Sequence, residues 1–302
     1  MSRAAHRATI DRPQPFPHPS KIPAILGRLK EGNTDDVARS ILAVLAPDLA
    51  HLPGTAIRQE LFQRSPQLLA GLTALQFPHT MPANALPHEM AVLLPREQPR
   101  TPFVYPTHML AISGPIDEYM PKDTHICMVP IHGAVFAAHS ARINLPPIVP
   151  HLRQGWLTLP LYRMTVPSMT AFVSLRSYMY NRRIDVLLDA LVPLPRAFLD
   201  ELSQPVRAGA RIHTACASPP EMTYLIQQMI YSTNGTSQLF EARLIKVKEM
   251  WETVCALVMC DELLWQGLDL AWHVVRSAFV VMVEKESIAA RTESSGPKGS
   301  AS

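Results

Sequence analysis

The residues with the most chemical potential in this sequence are three histidines and a cysteine between positions 125 and 139. His125, Cys127, His132 and His139 all carry side chains that can bind zinc. Only His125 and Cys127 have a spacing that lets them act together, because alternation along a strand places both on one face. A structural zinc site needs four ligands, and two side chains do not hold the ion. The spacing therefore predicts no metal at this stretch.

Candidate acids, bases and thiols elsewhere are better explained by structure than by catalysis. Glu262 and Asp269 could form an acid–base pair, but at two turns' separation on a helix they are more simply solvated surface carboxylates. Cys255 and Cys260 are five residues apart, so they point to different faces of a helix and do not form a bidentate site. The sequence also lacks a phosphate-cradling glycine loop, a Gly-x-Ser-x-Gly elbow and an HExxH motif. We expect no catalytic residue and no cofactor, and hence a protein that is not an enzyme.

Composition and charge narrow the classes of function. The 302 residues are 47% apolar and 18% charged, which excludes a wholly disordered chain. The net charge is +3 and the basic residues are scattered, so we expect no direct nucleic-acid binding. The four cysteines have no paired spacing, which favours reduced thiols in a reducing compartment. Because Met1–Arg12 lacks an apolar core, we expect no secretory signal.

A long apolar stretch near the end of the sequence needs to be distinguished from a membrane span. Residues Val254–Val283 contain four formal charges and a histidine, and each would cost a few kcal/mol in lipid. The polar side chains recur by four and three, which places them along one helix face. This stripe comprises Glu262, Gln266, Asp269, His273 and Arg276. We therefore predict a buried helix with one solvated or partner-facing stripe, and no membrane contact.

The elements that would position these residues are centred on His125–Pro193. The pattern predicts a β-hairpin, one or two helical turns, a third short strand and two consecutive helices. Their predicted bounds are Ile126–Ile131 and Ala134–His139 for the hairpin, Ser140–Pro147 for the turns, Leu157–Tyr162 for the strand, and Pro167–Arg183 and Ile184–Leu191 for the helices. The sequence thus predicts an α+β fold with a small sheet-and-helix centre.

Helices are predicted on both sides of this centre. Three short amphipathic helices run from Thr34 to Pro47, from Thr55 to Arg64 and from Ser65 to Pro78. Phe77–Arg100 is rich in proline and has no period, which is typical of a linker or a wrapped loop. Further predicted elements are a strand at Tyr105–Ser113, a short helix and turn at Leu194–Gly209, a helix that opens at Ser218, and Thr236–Glu286 as one helix or two broken near Gly267.

These elements divide the sequence into five predicted segments. They are a disordered proline-rich tail (1–33), a helical N-terminal segment with its linker (34–100), the α+β domain (101–215), a C-terminal helical region (216–290) and a disordered tail (291–302). For the proline-rich tail, a disordered leader is favoured over a docking peptide.

The central block resembles the BTB/POZ protein-interaction fold. In that family a strand pair leads into an aromatic-x-Ala-His phrase, here Phe136–Ser140, and a later Phe and Tyr-hydrophobic-Tyr phrase follow, here Phe172 and Tyr178–Tyr180. The sequence departs from the family at Pro130, inside the first strand, and at Asn181-Arg182, where the family has Thr-Gly. The resemblance implies a domain that binds other proteins.

Over most of its length the sequence is similar to the clampless proteins of mushroom-forming and smut fungi. The phrases that carry this similarity are Thr107–Ser113, Pro160–Tyr162 and Tyr178–Asp185. The resemblance implies a regulator of sexual development that acts under the mating-type homeodomain factors and is needed for clamp-cell formation in the dikaryon. It also implies nuclear or nucleocytoplasmic action through contacts with other proteins, homeodomain or other transcription regulators among them.

An interaction module needs a contact surface, and hot spots in such surfaces favour Tyr, Trp and Arg. The candidate interface residues are Tyr178, Tyr180, Arg182 and Arg183, together with Glu262, Asp269 and Arg276 from the polar stripe. The alternative for the two tyrosines is a place in the core. Charge reversal at Arg182 and Arg183 is expected to weaken partner capture without changing the melting temperature.

Two other functions stay open from the sequence alone. A substrate adaptor of the BTB type would bind a cullin ubiquitin ligase. An enzyme of unknown class would need His139, Asp185 and one cysteine to converge in a pocket.

Overall fold

The computed structural model describes residues 37–94, 102–115, 125–140, 143–146, 148, 150–233 and 235–294. The helices in these ranges are α1 (Arg39–Leu45), α2 (Gly54–Gln63), α3 (Ser65–Thr73), α4 (Gly133–His139), α5 (Met169–Asn181), α6 (Ile184–Leu191), α7 (Arg196–Leu202), α8 (Pro205–Ala217), α9 (Pro219–Thr233), α10 (Ser237–Ala256) and α11 (Glu262–Ser294). The strands are β1 (Thr80–Pro82), β2 (Glu89–Leu93), β3 (His108–Ser113), β4 (His125–Ile131), β5 (His151–Arg153) and β6 (Trp156–Thr165). The predicted α+β fold class is confirmed.

The six strands form one mixed sheet in the order β1-β4-β3-β6-β2, with β5 also paired to β6. The β3–β6 pair is parallel, and the other pairs are antiparallel. Strand β6 is long enough to change partners along its length: residues 156–160 pair with β2 and residues 161–165 with β3. Its first residues also pair with β5, so the start of β6 is the middle strand of a three-stranded unit.

A two-residue turn joins β5 to β6. Gln154 and Gly155 both have positive φ, 47° and 83°, and Arg153 lies opposite Trp156. Two consecutive positive-φ residues form the type I′ turn whose twist matches that of the flanking strands. Glycine adopts this conformation without steric cost, so Gly155 fixes the hairpin register.

Both faces of the sheet are buried. Along β3, Leu110 and Ile112 face the main core, whereas Met109 and Ala111 face a smaller core on the other side. The smaller core consists of Leu75, Met90, Val92, Met109, Ala111, Met128, Leu157 and Leu159. The main core collects residues from Val37 to Phe279, so the helices of both ends of the chain pack on one face of the sheet.

The prediction of a second hairpin strand at Ala134–His139 is wrong, because this segment is helix α4. Every residue of α4 is buried. A helix enclosed on all sides has no polar face, so its sequence shows no helical period and imitates a buried strand. The helical turns predicted at Ser140–Pro147 are wrong for the described part: Ser140 forms an isolated β-bridge with Met259, and residues 143–146 are irregular. Residues 141, 142 and 147 lie outside the described residues.

The prediction of a linker over Phe77–Arg100 is also wrong in its described part. Strands β1 and β2 lie in this segment, and β2 alternates exposed and buried residues along Glu89–Leu93. The two buried residues, Met90 and Val92, complete the smaller core. A strand of five residues between prolines gives too short a pattern to be separated from a loop by its period.

Most predicted helices and strands are confirmed. The helices predicted from Thr55, Ser65, Pro167, Ile184 and Ser218 correspond to α2, α3, α5, α6 and α9, and the strands predicted at Tyr105–Ser113 and Leu157–Tyr162 correspond to β3 and β6. The first predicted helix corresponds to α1, although Thr34–Asp36 lie outside the described residues. The segment after Leu194 forms two helices, α7 and α8, where one helix and a turn were expected.

The long C-terminal segment forms two helices, and the break lies at residues 257–261. Val258 has φ 49° there, which ends α10. The site expected for the break, Gly267, lies inside α11 against Ile184, where an added Cβ would be 2.7 Å from that side chain. This glycine therefore serves close packing. Residues 1–33 lie outside the described part, and the predicted disordered tail is wrong for residues 291–294, which continue α11.

Candidate functional site

A group of polar side chains is buried where α4, α5 and the start of α11 meet. Asp261 lies at its centre, directly before α11, and Oδ1 accepts a hydrogen bond from the backbone N–H of Leu263 at 3.1 Å. Its Oδ2 accepts a hydrogen bond from the hydroxyl of Tyr178 at 3.2 Å. Asp261 is only 2% exposed. We call Asp261, Arg58, His139, Tyr178 and Arg182 the Asp261 cluster.

Two arginines and a histidine complete the surroundings of this carboxylate. Nη2 of Arg182 lies 3.7 Å from Oδ2 of Asp261. Nδ1 of His139 lies 3.5 Å from the same oxygen, but without the geometry of a hydrogen bond. Arg58 of α2 donates a hydrogen bond from Nη1 to the carbonyl of Ala138 at 2.9 Å and acts on Asp261 through its charge.

The protonation states in the cluster follow from burial and charge. Burial by itself would raise the pKa of Asp261, but His139, Arg182 and Arg58 outweigh it and hold that pKa well below its ordinary value. Burial lowers the pKa of His139 by more than Asp261 raises it. Burial and the Asp261 charge raise the pKa of the Tyr178 hydroxyl. At neutral pH Asp261 is therefore ionised, His139 is neutral and Tyr178 is protonated.

The backbone beside the cluster is held by contacts between α4 and the loop that joins α10 to α11. The N–H of Cys260 donates to the carbonyl of His139 at 2.9 Å. The hydroxyl of Ser140 donates to the carbonyl of Leu257 at 2.6 Å. Val258 in this loop has the left-handed conformation that β-branched residues rarely adopt. Long-range contacts at both ends of the loop hold this strained residue in place.

The arrangement is suited to holding chain segments together rather than to acting on a reactant. His139 and Asp261 are almost fully buried, and both oxygens of Asp261 already have partners. The convergence of His139 with Asp185 that an enzyme would require does not occur in this form, because the carboxylate beside His139 belongs to Asp261 and Asp185 pairs with Arg183. A buried ion pair of this kind stabilises the fold only while all its members are present.

A second buried network surrounds His132. Nε2 lies 3.0 Å from the carbonyl of Val104, so this nitrogen carries the proton and donates it. Nδ1 then accepts from the hydroxyl of Tyr180 at 3.0 Å, and the same hydroxyl accepts the backbone N–H of His132 at 3.0 Å. Burial lowers the pKa of His132 to about 4, although its bond to Val104 opposes the shift, and the charge of Arg176 adds to it. The imidazole is neutral at physiological pH.

His108 is held in the same way one strand away. Its Nε2 lies 2.8 Å from the carbonyl of Pro146 and its Nδ1 lies 2.8 Å from the hydroxyl of Thr107. The N–H of Gly133 donates to that hydroxyl at 2.7 Å, which leaves the hydroxyl proton for Nδ1. Burial lowers the pKa of His108. Neutral imidazoles thus connect the start of α4 to its surroundings.

Comparison with known protein families identifies this chain. The Clampless protein 1 N-terminal domain matches residues 33–167, and the Clampless protein 1 C-terminal domain matches residues 185–301. These matches cover most of the sequence. The chain belongs to the clampless family. No curated protein and no solved structure matches it, so the BTB/POZ resemblance of the centre stays a prediction.

The Asp261 cluster joins the two clampless domains. Arg58 and His139 belong to the N-terminal domain, and Asp261 belongs to the C-terminal domain. Tyr178 and Arg182 lie in α5 and at its end, between the two matched ranges. The carboxylate therefore lies beside residues of both matched ranges and of the segment between them, although His139 is more than one hundred positions from Asp261 in sequence.

The two candidate interface tyrosines lie in the core, which was the alternative to a place in the interface. Tyr178 is 1% and Tyr180 2% exposed, and both hydroxyls are hydrogen-bonded inside the clampless protein. Neither can supply an exposed hot-spot contact in this conformation. The end of α5 explains the result: this helix contacts helices on several sides, and the three consecutive residues Tyr178–Tyr180 are all buried.

The two candidate arginines have different surroundings. The side chain of Arg182 is 15% exposed and lies beside Asp261, so charge reversal there would place two negative charges in the Asp261 cluster. Arg183 forms a two-point ion pair with Asp185 at 2.8 and 2.6 Å and is 43% exposed. The expectation that reversal at both leaves the melting temperature unchanged conflicts with these contacts. Their role in an interface stays a prediction.

Arg183 lines a groove between α5 and α6, which we call the α5–α6 groove. Its volume is about 230 Å³. The half-exposed side chains of Val173 and Val186 line it, with Ser177 and Asn181 between them and Arg183. The Oδ1 atom of Asn181 accepts the backbone N–H of Arg183 at 2.9 Å, which fixes the chain at this point. Of the candidate interface residues, Arg183 and the buried Tyr178 line this groove.

The polar stripe on α11 is confirmed as one helix face, and it lies partly under α8. Glu262, Asp269 and Arg276 are half-buried. Oε1 of the stripe residue Gln266 would lie 3.2 Å from a Cβ added at Gly209 of α8. Burial raises the pKa of Cys216, also on α8, and the negative charge of Asp269 raises it further. The stripe therefore contributes to packing within the C-terminal clampless domain, and its contact with a partner stays a prediction.

The histidines and cysteine of the central stretch do not come together. His125 is exposed and Cys127 half-buried on β4, whereas His132 and His139 belong to the separate networks described above. Among the described residues, no three His, Cys, Asp or Glu side chains are arranged to hold a metal ion. None of the helices in those ranges combines the length and the apolar character of a membrane span.

Sequence reasoning did not identify Asp261 and Arg58, the central carboxylate and one of its cations. An aspartate directly before a long apolar helix is a recognisable cap signal, and Asp261 does accept the N–H of Leu263. Arg58 gives no such signal, because an arginine on an amphipathic helix is expected in solvent. Its burial depends on contacts with residues 80 and more positions away.

Proposed function

We propose that this clampless-family chain is a non-enzymatic protein-interaction module that regulates fungal sexual development. In this role it acts downstream of the mating-type homeodomain factors, in clamp-cell formation and maintenance of the dikaryon. The observation that carries the proposal is the match of both clampless domains to one chain. Nuclear or nucleocytoplasmic action, with homeodomain or other transcription regulators as partners, is part of the same proposal.

The distribution of polar and apolar groups supports action through contacts. The best candidates for chemistry, His108, His132, His139 and Asp261, are buried in closed networks. The open features of the surface are grooves with half-exposed apolar rims. A larger groove of about 770 Å³ lies between α9 and α11, beside the 83% exposed Tyr231. Apolar and aromatic groups at an open surface are typical of sites that bind other proteins.

The α5–α6 groove is the contact surface we propose first, because the predicted residue Arg183 lies in it. Val173→Asp combined with Val186→Asp adds charge at both apolar rims, where the side chains are half-exposed and the fold tolerates substitution. We expect capture of partner proteins to fall at least tenfold. The matched control is Val206→Asp, the same change at an exposed valine on α8 outside the groove.

The experiment uses a mating strain that lacks its clampless gene and receives the wild-type chain or a variant. The wild type and the Val206→Asp control should restore clamp cells, whereas the groove variant should not, at equal protein level and equal melting temperature. Mass spectrometry of co-purified proteins identifies the partners, and a recovered cullin would support the substrate-adaptor alternative. Failure of the wild-type chain to restore clamp cells would overturn the proposed function.

A further inference from the structure

The outer edge of β5 is open. Strand β5 pairs with β6 on one side, and its other side has no strand partner among the described residues. All three of its residues, His151, Leu152 and Arg153, are exposed. In an antiparallel pair alternate N–H and C=O groups point away from the partner strand, so within the described part of the chain this edge has backbone donors and acceptors without a strand partner.

At this edge, one apolar side chain on the face of the smaller core is exposed to solvent. Residues directly opposite each other share a face of the sheet, and Leu152 of β5 lies opposite Leu157 of β6, which lies opposite Val92 of β2. Val92 and Leu157 are buried in the smaller core, yet Leu152 on the same face is 59% exposed. An apolar side chain from one further strand would cover Leu152 and extend the row.

The other face of the same three strands is aromatic and basic. Leu93, Trp156 and Arg153 lie directly opposite one another across β2, β6 and β5, and all three are exposed. His151 of β5, which lies opposite Thr158 of β6, is on the same face and is also exposed. Within the described residues Arg153 has no ion-pair partner. Exposed Trp and Arg are among the residue types that dominate hot spots.

We propose that β5 receives an extended segment of a partner protein, which adds to the sheet as a further strand. The segment alternates apolar and acidic residues, because one of its faces meets Leu152 and the other meets Arg153 and His151. Main-chain hydrogen bonds supply affinity in such strand addition, and alternate side chains supply specificity. This inference rests on the proposed function, that the protein acts through contacts with other proteins, and adds the chemistry of one partner.

Charge distinguishes this partner from a second copy of the chain. Two β5 edges paired antiparallel about Leu152 would place each Arg153 opposite the His151 of the other copy. That arrangement gives neither arginine an opposite charge, whereas opposite charges directly across a strand pair stabilise the pairing. Acidic residues at those positions would instead pair with Arg153, which identifies the acidic, apolar-alternating segment as the occupant.

The test uses the full chain and a short fluorescent peptide in which valine and glutamate alternate. We expect fluorescence anisotropy to show binding of this peptide and at least tenfold weaker binding of a peptide that alternates valine and lysine. N-methylation of every second backbone amide on the valine–glutamate peptide, prepared in both phases, should weaken binding at least tenfold for one of the two. Such a loss distinguishes strand addition from attraction between charges alone.

Variants of the chain locate the site. Arg153→Glu should reverse the preference between the two peptides, and Leu152→Asp should weaken binding of the valine–glutamate peptide. The control Arg207→Glu changes an exposed arginine on α8 and should leave binding unaltered. Equal binding of both peptides, indifference to Arg153→Glu, or a dimer in light scattering that Leu152→Asp dissolves would each overturn the inference. Loss of the peptide interaction alone, with partner capture through the α5–α6 groove intact, would leave the proposed function standing.

Discussion

The buried histidines of this protein form hydrogen bonds with residues that are distant in sequence. His132 shows the consequence most clearly, because both its ring nitrogens have partners that suit only the neutral imidazole. A second proton on Nδ1 would face the hydroxyl proton of Tyr180 and break that bond. The three histidines that are buried in the described ranges, His108, His132 and His139, all have lowered pKa values for the same reason, burial away from water.

This predicts a loss of stability in mild acid. In the unfolded chain the pKa of His132 is about 6.5, and in the folded protein burial lowers it to about 4. Because the folded-state pKa is depressed, the contribution to stability is fully present above the unfolded pKa and is lost as the pH falls toward the folded one. We expect the free energy of unfolding to decrease between these limits, by on the order of 3 kcal/mol for His132, with His108 and His139 adding to the decrease.

Chemical denaturation at a series of pH values measures this effect. His132→Gln should lower stability at neutral pH and flatten the pH dependence, because it removes one titrating group. His213→Gln, at an exposed histidine on α8, serves as the control and should reproduce the wild-type curve. A curve for His132→Gln parallel to the wild type would contradict the assignment.

At the scale of elements, helix α3 lies so close to the segment before β3 that one added methyl group would clash with its backbone. Helix α3 passes beside the segment that leads into β3, and the N–H of Val104 donates to the carbonyl of Gln67 at 3.1 Å. A Cβ at Gly71 would lie 1.6 Å from the carbonyl oxygen of Val104. The same oxygen accepts from His132, so this glycine lets α3 and the His132 network share one backbone group.

Gly71→Ala is therefore expected to destabilise the protein although alanine favours helices. The backbone of Val104 must move away from α3 and from Nε2 of His132, which we expect to cost about 1–3 kcal/mol. Thermal unfolding measures the change. Gly114→Ala is the matched control, because no atom lies within 4 Å of its added Cβ. Equal melting temperatures for the two variants would contradict this prediction, because they would show that the Val104 backbone moves away from α3 at no cost in free energy.

At the scale of the whole molecule, the two clampless domains share one core and one ion cluster. The main core takes residues from α1 to α11 without a break, and the Asp261 carboxylate contacts Tyr178, Arg182 and His139 from outside its own domain. A chain built in this way should unfold as one cooperative unit, since neither half buries its surface alone.

Asp261→Asn tests this coupling because it removes the charge and keeps the shape. Without the carboxylate, the buried arginines lose their counter-charge, which we expect to destabilise the protein by about 3 kcal/mol. Far-UV circular dichroism and fluorescence of the four tryptophans should report coincident transitions in the wild type and in the variant, shifted together. The control Asp189→Asn alters an exposed carboxylate on α6. Separate transitions for the two probes would contradict a shared core.

The sequence by itself determined the α+β class, most of the helices, and the single polar stripe on α11. These follow from periodicity and capping, which act over a few residues and are therefore readable in order along the chain. It also led from short phrases to the clampless family. The cap formed by Asp261 was readable in the same way, although its other contacts were not.

Only the tertiary structure decided which apolar segments are helical and which polar residues are buried. Helix α4 has no solvent side and so no period, and β2 becomes a strand by pairing with a residue range more than sixty positions away. Arg58 is buried with its guanidinium on the carbonyl of Ala138, 80 positions later. The candidate tyrosines became core residues for the same reason. Burial and ion pairing depend on what the folded chain places nearby, and the energy of such contacts is absent from any local pattern.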